Sequence, residues 1–190
     1  MSETLQSAID QSQHRSLLAR LAGTQVFWVL MAAILACLAL SVLTDSFASE
    51  RNLFNVARNF AFVAIIAIGM TTVIAAGGID LSVGSSLVLA AMVVSVLMEG
   101  GHSFWLSAAA AMGAALVVGL INGVLIAYVG MPAFVVTLGM LSAARSLAMV
   151  LSNNKMIYQF GPDHDLLLWL GGGSTFGLPH PLYVLIALAV

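Results

Sequence analysis

Apolar runs long enough to cross a membrane alternate with short polar segments along most of the chain. A transmembrane helix needs about 20 predominantly apolar residues, and barrel strands would instead alternate at every second residue. The runs here are continuous, so they indicate helices. Five of them reach 18 residues or more: Val26–Leu43, Asn59–Ala76, Leu81–Met98, Phe104–Val129 and, with one arginine inside it, Ala133–Leu151.

A sixth apolar run, Leu182–Val190, has nine residues and covers less than half of a crossing. A terminal carboxylate at that depth would be stranded in hydrocarbon. We therefore expect the chain to be the N-terminal part of a longer protein, truncated on its C-terminal side. The predicted fold class is all-α: a polytopic helical membrane protein with five complete transmembrane helices plus the start of a sixth.

The polar segments predict the organisation around these helices. Residues 1–22 are rich in Ser and Gln and are predicted to be a cytoplasmic N-terminal tail, followed by a transmembrane domain over residues 23–190. Arg15 and Arg20 precede the first helix, and an equal number of arginines follows it, so the positive-inside rule alone does not fix the orientation. Asn52–Arg58 predicts a short interfacial turn, and Leu166–Leu170 is too short to span.

Composition supports a membrane protein and excludes several other classes. The 190 residues are 61% hydrophobic and 7% charged, with a mean hydropathy of +1.07, whereas a soluble chain carries about 25% charged residues. The six Lys and Arg are scattered, which argues against a nucleic-acid partner. The only lysine, Lys155, lacks the glycine-rich setting of a phosphate-binding loop. No catalytic constellation or metal site is predicted, and Asp163–Asp165 is interpreted as a solvated loop.

A glycine-punctuated polar break over Gly77–Gly84 separates the second and third predicted helices. An isolated aspartate in hydrocarbon costs about 2.5–3.5 kcal/mol, so Asp80 is expected to face a bundle interior or a watery path. Gly77, Gly78 and Gly84 are interpreted as structural residues of the break. The alternative is equally weighted: Asp80 caps the following helix by accepting the backbone N–H of Ser82 or Val83. Both interpretations can hold, because transporters build substrate sites from broken, capped helices.

Five further residues are candidates outside the break. Gly119 and Gly123 have the spacing that lets transmembrane helices pack closely, and Pro132 ends the helix that precedes it. Asn122 lies between the two glycines, where hydrogen bonding to a neighbouring helix is the default and substrate contact the rarer alternative. Arg145 is charged within a span and is a candidate for an ion pair with Asp80, or for contact with headgroups.

Several motifs in order along the chain resemble the membrane permease subunits of bacterial ribose-type sugar ABC importers, a group that also serves xylose, galactose and related monosaccharides. The likeness runs from about Leu53 to the C-terminus. The segments that carry it are Gly69–Ser85, Gly119–Gly123, Pro132–Met140, Ala144-Arg145 with Leu147-Ala148, and Leu168–Gly171 with Phe176–Pro179. Family members are considerably longer, and the cytoplasmic segment by which they engage the ATPase lies beyond residue 190.

The resemblance implies a permease without enzymatic activity, which passes a sugar by alternating access. It implies no cofactor in this chain, because ATP and Mg would be bound by a separate cytoplasmic ABC ATPase. The other implied partners are a periplasmic or secreted sugar-binding protein, a second permease copy and the lipid bilayer. It places the protein in the bacterial plasma (inner) membrane with a cytoplasmic N-terminus, so that the loop after Leu151 is outside.

Neutral sugars need hydroxyl, amide and carboxylate partners, and the polar side chains in the matching segments are Asp80, Ser82, Asn122 and Thr137. These four are the predicted substrate-pathway residues. Two alternatives stand beside the importer. An ion-coupled secondary transporter would have similar broken helices, and a non-transporting membrane scaffold or intramembrane enzyme fragment would need no pathway. Neither alternative accounts for the ordered motifs.

Overall fold

The computed structural model describes residues 23–189, which fall into two compact units, one ending at Leu53 and the other beginning at Phe54. The predicted tail, residues 1–22, lies outside the described residues. The helices are α1 (Gln25–Leu43), α2 (Glu50–Ala75), α3 (Val83–Glu99), α4 (Phe104–Ala127), α5 (Ala133–Leu151), α6 (His164–Gly172) and α7 (His180–Ala189), with a 3₁₀ turn at Gly161–Asp163 and the two-residue strands β1 (Ser174–Thr175) and β2 (Leu178–Pro179).

In the first unit, α1 begins where the Thr24 side chain accepts the Phe27 N–H, and its sequence is apolar on every face. The interfacial turn predicted at Asn52–Arg58 is wrong, because α2 is helical from Glu50. Its first turn is capped by two hydrogen bonds. The Ser49 hydroxyl oxygen accepts the backbone N–H of Asn52 at 3.3 Å, and the side-chain amide of Asn52 donates to the Phe47 carbonyl at 2.8 Å. Polar side chains here start a helix instead of interrupting one.

The core of the second unit lies among α3, α4 and α5, which we call the three-helix bundle. Leu89 of α3, Val118 of α4, and Ala144 and Ala148 of α5 form its buried cluster. The two alanines are four residues apart and thus share one face of α5. Their small side chains let the α5 backbone approach its neighbours, as is common between transmembrane helices.

Four of the described helices, α1, α2, α4 and α5, are long and apolar enough to cross a membrane. The third predicted span is α3, which has 17 residues and is apolar but shorter than these four. The sixth run forms α7, with 10 residues. The structure therefore confirms a mostly helical, polytopic architecture and establishes four membrane-length helices where five were predicted.

The segment between α5 and α7 is more ordered than its sequence suggested. The 3₁₀ turn leads into α6, and β1 pairs with β2 in an antiparallel hairpin, with Ser174 opposite Pro179. His180 fixes this hairpin to α6, because its ring nitrogens lie 2.6 Å from the Trp169 carbonyl oxygen and 2.8 Å from the Thr175 hydroxyl. The predicted interfacial segment Leu166–Leu170 is the middle of α6.

Candidate functional site

The glycine-rich break is a tight turn in the backbone between α2 and α3. The N–H of Gly77 donates to Ile74 O, and the N–H of Gly78 donates to Val73 O. Gly77 has a φ of +79°, in the left-handed region that favours glycine. A side chain at Gly78 would stand 3.3 Å from both a methyl carbon and the carbonyl oxygen of Val73. The two glycines therefore serve the turn that ends α2, as the sequence predicted for the break.

Asp80 and Ser82 form the centre of the site. One carboxylate oxygen of Asp80 accepts both the Ser82 N–H at 2.7 Å and the Ser82 hydroxyl at 2.6 Å. Ser82 is fully buried, and its carbonyl accepts the hydroxyls of Ser85 and Ser86. The bond to the Ser82 N–H is one that the capping alternative predicted for Asp80, but the N-cap residue of α3 is Ser82 and not Asp80. The carboxylate thus holds the first turn of α3 in place.

Asn122 brings α4 into the same site. Its side-chain amide donates to the Ser82 hydroxyl oxygen at 3.0 Å, across 40 residues of sequence. Asn122 is 6% exposed, and within the described residues its carbonyl oxygen Oδ1 is a buried polar atom without a hydrogen-bond partner. Leaving such an acceptor unpaired costs about 1–3 kcal/mol. The default expectation for Asn122, a bond to a neighbouring helix, is confirmed for its amide nitrogen alone.

Thr137 adds α5 to the site through the backbone of the break. Its hydroxyl lies 3.3 Å from the Ile79 carbonyl oxygen and 2.8 Å from the Ala133 carbonyl oxygen of its own helix. The side chain is 2% exposed. Thr137 therefore joins the other three predicted pathway residues, and we call Asp80, Ser82, Asn122 and Thr137 the polar network. The structure brings all four together.

The polar network lies near one end of the three-helix bundle. Asn122 is five residues before the end of α4, and Thr137 is four residues after the start of α5. At a rise of about 1.5 Å per residue, these positions are about 6–8 Å inside the helix ends. The network is therefore about one turn deep in the bundle.

The ion pair suggested between Asp80 and Arg145 is not formed in the described part of the chain, where Arg145 is exposed. The reason is geometric. Arg145 lies eight residues beyond Thr137 on α5, which is about 12 Å further along the helix axis than the residue that reaches the break. The bound oxygen of the Asp80 carboxylate is instead engaged by Ser82.

The predicted packing residues are placed differently from the polar network. A Cβ atom added at Gly84, Gly119 or Gly123 would meet no heavy atom of another described element within 4 Å, and the packing role of these glycines stays a prediction. Asn122, between the last two, faces α3 instead. Pro132 stands directly before α5, where its carbonyl accepts the Val135 and Val136 N–H groups. Its predicted role as a break between helices is seen in the fold.

The opposite end of the bundle has a second set of contacts, which sequence reasoning missed. The Asp163 carboxylate accepts the Phe104 N–H at 2.8 Å, so it caps α4 from 59 residues away. Gly161 has a φ of +61°, and a Cβ atom there would overlap the Met98 carbonyl oxygen. We call Met98, Phe104, Gly161 and Asp163 the capped end. Asp163 was interpreted as part of a solvated loop, and no local pattern could have revealed a partner so distant in sequence.

The groups at this site are suited to hydrogen bonding and not to metal binding. Among residues 23–189, no group of three or more His, Cys, Asp or Glu side chains could hold a metal ion. The polar network instead consists of one carboxylate, two hydroxyls and one carboxamide. Such groups make hydrogen bonds to uncharged polar ligands.

Four apolar helices of membrane length among the described residues, and a largely buried polar network near one end of the three-helix bundle, define a polytopic helical membrane protein. Within that class, the chain belongs to the family described as branched-chain amino acid transport system permease component, whose model matches residues 52–189. That match begins near the start of α2 and includes the whole three-helix bundle.

The chain is also similar to several curated permeases. It is 34% identical to the ribose import permease protein RbsC of Escherichia coli (strain K12) over 157 residues, which are 82% of this chain and 49% of the relative. It is 38% identical to the galactofuranose transporter permease protein YtfT of the same strain over 64% of this chain and 35% of the relative. It is 34% identical to the L-arabinose ABC transporter permease protein AraH of Azospirillum brasilense over 83% of this chain and 44% of the relative.

These similarities confirm the expected resemblance to ribose-type sugar ABC permeases. The chain spans about half the length of the ribose permease that it matches. No solved structure matches it. The family and the apolar helices together support a multi-pass protein of the inner membrane.

Proposed function

We propose that this chain forms part of the permease subunit of an ATP-driven monosaccharide importer, in which the sugar crosses by alternating access. The observation that carries the proposal is the likeness, over 82% of the chain, to a permease named for ribose import. Permeases named for L-arabinose and galactofuranose support a sugar in general without selecting one. The proposed partners are a cytoplasmic ABC ATPase that binds ATP and Mg, a periplasmic or secreted sugar-binding protein and a second permease copy.

For the topology, we take α3 as the fifth crossing helix. Its 17 residues span about 26 Å, close to the bilayer hydrocarbon core of about 30 Å. With the N-terminus in the cytoplasm, the turns at 76–82 and 128–132 are cytoplasmic, and the hairpin before α7 is outside. This topology puts the polar network near the cytoplasmic end of the bundle and the capped end near the outer end.

The topology can be tested by labelling single cysteines in intact cells with a membrane-impermeant maleimide, after replacing the native Cys37 by alanine. Phe176→Cys, at the exposed tip of the hairpin, should react in intact cells. Gly130→Cys, in the turn between α4 and α5, should react only after the cells are permeabilised. The reverse pattern would overturn the proposed orientation.

The polar network is the proposed pathway element of this permease. It ties α3, α4 and α5 together at the end where a sugar would leave toward the cytoplasm. Sugar hydroxyls can exchange hydrogen bonds with a carboxylate, hydroxyls and a carboxamide. Opening this end of the bundle would therefore break the bonds among these side chains and offer the same groups to the sugar.

Uptake by an Asp80→Ala variant of the full-length permease, expressed with its ATPase and binding protein, tests this role. We expect loss of labelled-sugar uptake while the variant is still present in the membrane fraction. Asp80→Asn is the matched control, because its amide oxygen can still accept the Ser82 N–H and hydroxyl, and it should retain part of the activity. Wild-type uptake by Asp80→Ala would contradict the pathway role.

The energy source separates the importer from an ion-coupled transporter, whose broken helices would be similar. We expect uptake to stop when ATP is depleted and to continue when a protonophore collapses the ion gradient in cells that keep their ATP. Uptake that follows the gradient instead of ATP would favour the secondary transporter.

A further inference from the structure

The orientation of the Asn122 carboxamide is fixed by the chemistry of its neighbours. One Asp80 oxygen accepts the Ser82 N–H at 2.7 Å, and the single hydroxyl hydrogen of Ser82 points to the same oxygen, over 2.6 Å. The Ser82 oxygen can then only accept, and the group that faces it at 3.0 Å must be the NH₂ of Asn122. The chain of donors therefore runs from Asn122 through Ser82 to Asp80, and Asn122 Oδ1 must face another partner.

No group inside the polar network can supply that partner. The Ser82 N–H and hydroxyl both donate to Asp80, and the hydroxyls of Ser85 and Ser86 both donate to the Ser82 carbonyl. The Thr137 hydroxyl has one hydrogen and three backbone carbonyl oxygens around it. The described hydroxyl donors of the network and of its neighbours Ser85 and Ser86 are thus all committed to other acceptors, and the Asn122 NH₂ cannot bond to its own carbonyl oxygen.

Burial makes the position of Asn122 Oδ1 unusual. Asn122 is only 6% exposed. Among the described residues, its Oδ1 is the buried side-chain oxygen or nitrogen that has no hydrogen-bond partner. A leucine would fill similar space without an unpaired acceptor, as the buried Val118 does one turn earlier on the same helix. The NH₂ of this carboxamide bonds to Ser82, but its buried oxygen is costly unless it also receives a hydrogen.

We propose that Asn122 Oδ1 is a binding point for one uncharged hydroxyl donor. Two sources share this chemistry: an ordered water molecule, or one hydroxyl of the transported sugar. The sugar source rests on the proposed function, whereas the water source does not. The ligand is a neutral donor, because the carboxamide oxygen is a neutral acceptor and the negative charge of Asp80 is already engaged by two donors from Ser82.

Infrared spectroscopy of the full-length permease in lipid films can observe this oxygen directly. The side-chain carbonyls of asparagine are labelled with ¹³C, and the spectrum of Asn122→Leu is subtracted to isolate the band of Asn122. Asn122→Ser supplies the reference spectrum if the leucine variant does not fold, since it also lacks the labelled group. A carbonyl that accepts a hydrogen bond absorbs at a lower frequency than a free one.

Three conditions distinguish the donors: a hydrated film, a partly dried film, and a hydrated film with D-ribose. A low-frequency band that moves up on drying identifies water. A high-frequency band that moves down with D-ribose identifies a sugar hydroxyl. Either result supports the proposal, and the water result holds even if uptake assays refute the importer. A high-frequency band in all three conditions, or a low-frequency band that neither treatment changes, would overturn it.

Ser107→Ala is the matched control for this measurement. Ser107 is a fully buried polar residue on the same helix, and its hydroxyl donates to the Ser103 carbonyl at 2.9 Å. Removing it should leave the Asn122 band unchanged under all three conditions. A shift of the band in this variant would show that the signal reports on α4 as a whole, and would overturn the assignment to Oδ1.

Discussion

The two ends of the three-helix bundle are held by different kinds of contact. At the polar network, side chains from α4 and α5 meet the turn before α3. Asp80, Ser82 and Asn122 bond to one another through their functional groups, and the Thr137 hydroxyl lies within hydrogen-bond distance of the Ile79 carbonyl oxygen. At the capped end, the contacts involve the backbone: a carboxylate on the Phe104 N–H, and a glycine against the Met98 carbonyl. Substitutions that remove a hydrogen-bonding group should therefore destabilise the first end. Substitutions that add volume or change the backbone conformation should destabilise the second.

This difference has a functional meaning for a permease. Hydrogen bonds between side chains can be exchanged for bonds to a polar ligand without moving the helix axes far. The close approach of Gly161 to the Met98 carbonyl offers no such exchange, because it is a steric contact between two backbone segments and not a hydrogen bond. We therefore propose that the polar network is the end that opens and that the capped end is the fixed point.

The largest effect is expected at the polar network. Asp80→Ala leaves two donors of the buried Ser82 without an acceptor, which should lower the free energy of unfolding by about 2–5 kcal/mol. Asp80→Asn keeps an acceptor oxygen and should cost about 1 kcal/mol, because only the charge is lost. Unfolding by SDS in mixed micelles measures both. Equal losses for the two variants would show that charge, and not hydrogen bonding, holds this end.

At the capped end, the sharpest change is one of size. Gly161→Ala combines a left-handed φ, worth about 1–2 kcal/mol, with overlap of the new methyl group and the Met98 carbonyl, so we expect a loss of about 2–4 kcal/mol. Gly130→Ala is the matched control. Its φ is +78° with no atom within 4 Å of an added Cβ, so it should cost only the conformational part. If the two substitutions cost the same, the close approach to Met98 is not a real constraint.

The smallest of these effects is expected for the cap of α4. Asp163→Ala removes the acceptor of the Phe104 N–H and should lower stability by about 1 kcal/mol, as is usual for helix capping residues. Sugar uptake should remain close to wild type, because the proposed pathway lies at the opposite end. A complete loss of uptake with normal membrane insertion would contradict the contrast drawn between the two ends.

Much of this fold could be predicted from the periodicity of the sequence. The predicted span Ala133–Leu151 coincides with α5, and the predicted spans for α1, α3 and α4 differ from the observed helices by two residues or fewer at either end. Long apolar runs specify helices because the backbone groups must be satisfied internally in lipid. The start of α2 was wrong, since Ser49 and Asn52 cap that helix with polar side chains that also suit a turn.

The candidate site was predicted in its residue types but not in its arrangement. Asp80, Ser82, Asn122 and Thr137 were recognisable as polar groups in apolar surroundings, and the structure joins them. The direction of their hydrogen bonds depends on contacts between residues 40 and 58 positions apart, which periodicity does not contain. For the same reason, Arg145 could be suggested as a partner of Asp80 although α5 places it elsewhere.

The bond between Asp163 and Phe104 also has a consequence for the order of events during synthesis. Asp163 follows Phe104, the first residue of α4, by 59 positions, and chains grow at about 5–20 residues per second, so the carboxylate is made roughly 3–12 s after the residue that it caps. During that interval α4 has only the weak local cap of Ser103, at 3.5 Å from the Leu106 N–H. The bundle is therefore fastened at this end only after α5 has been made.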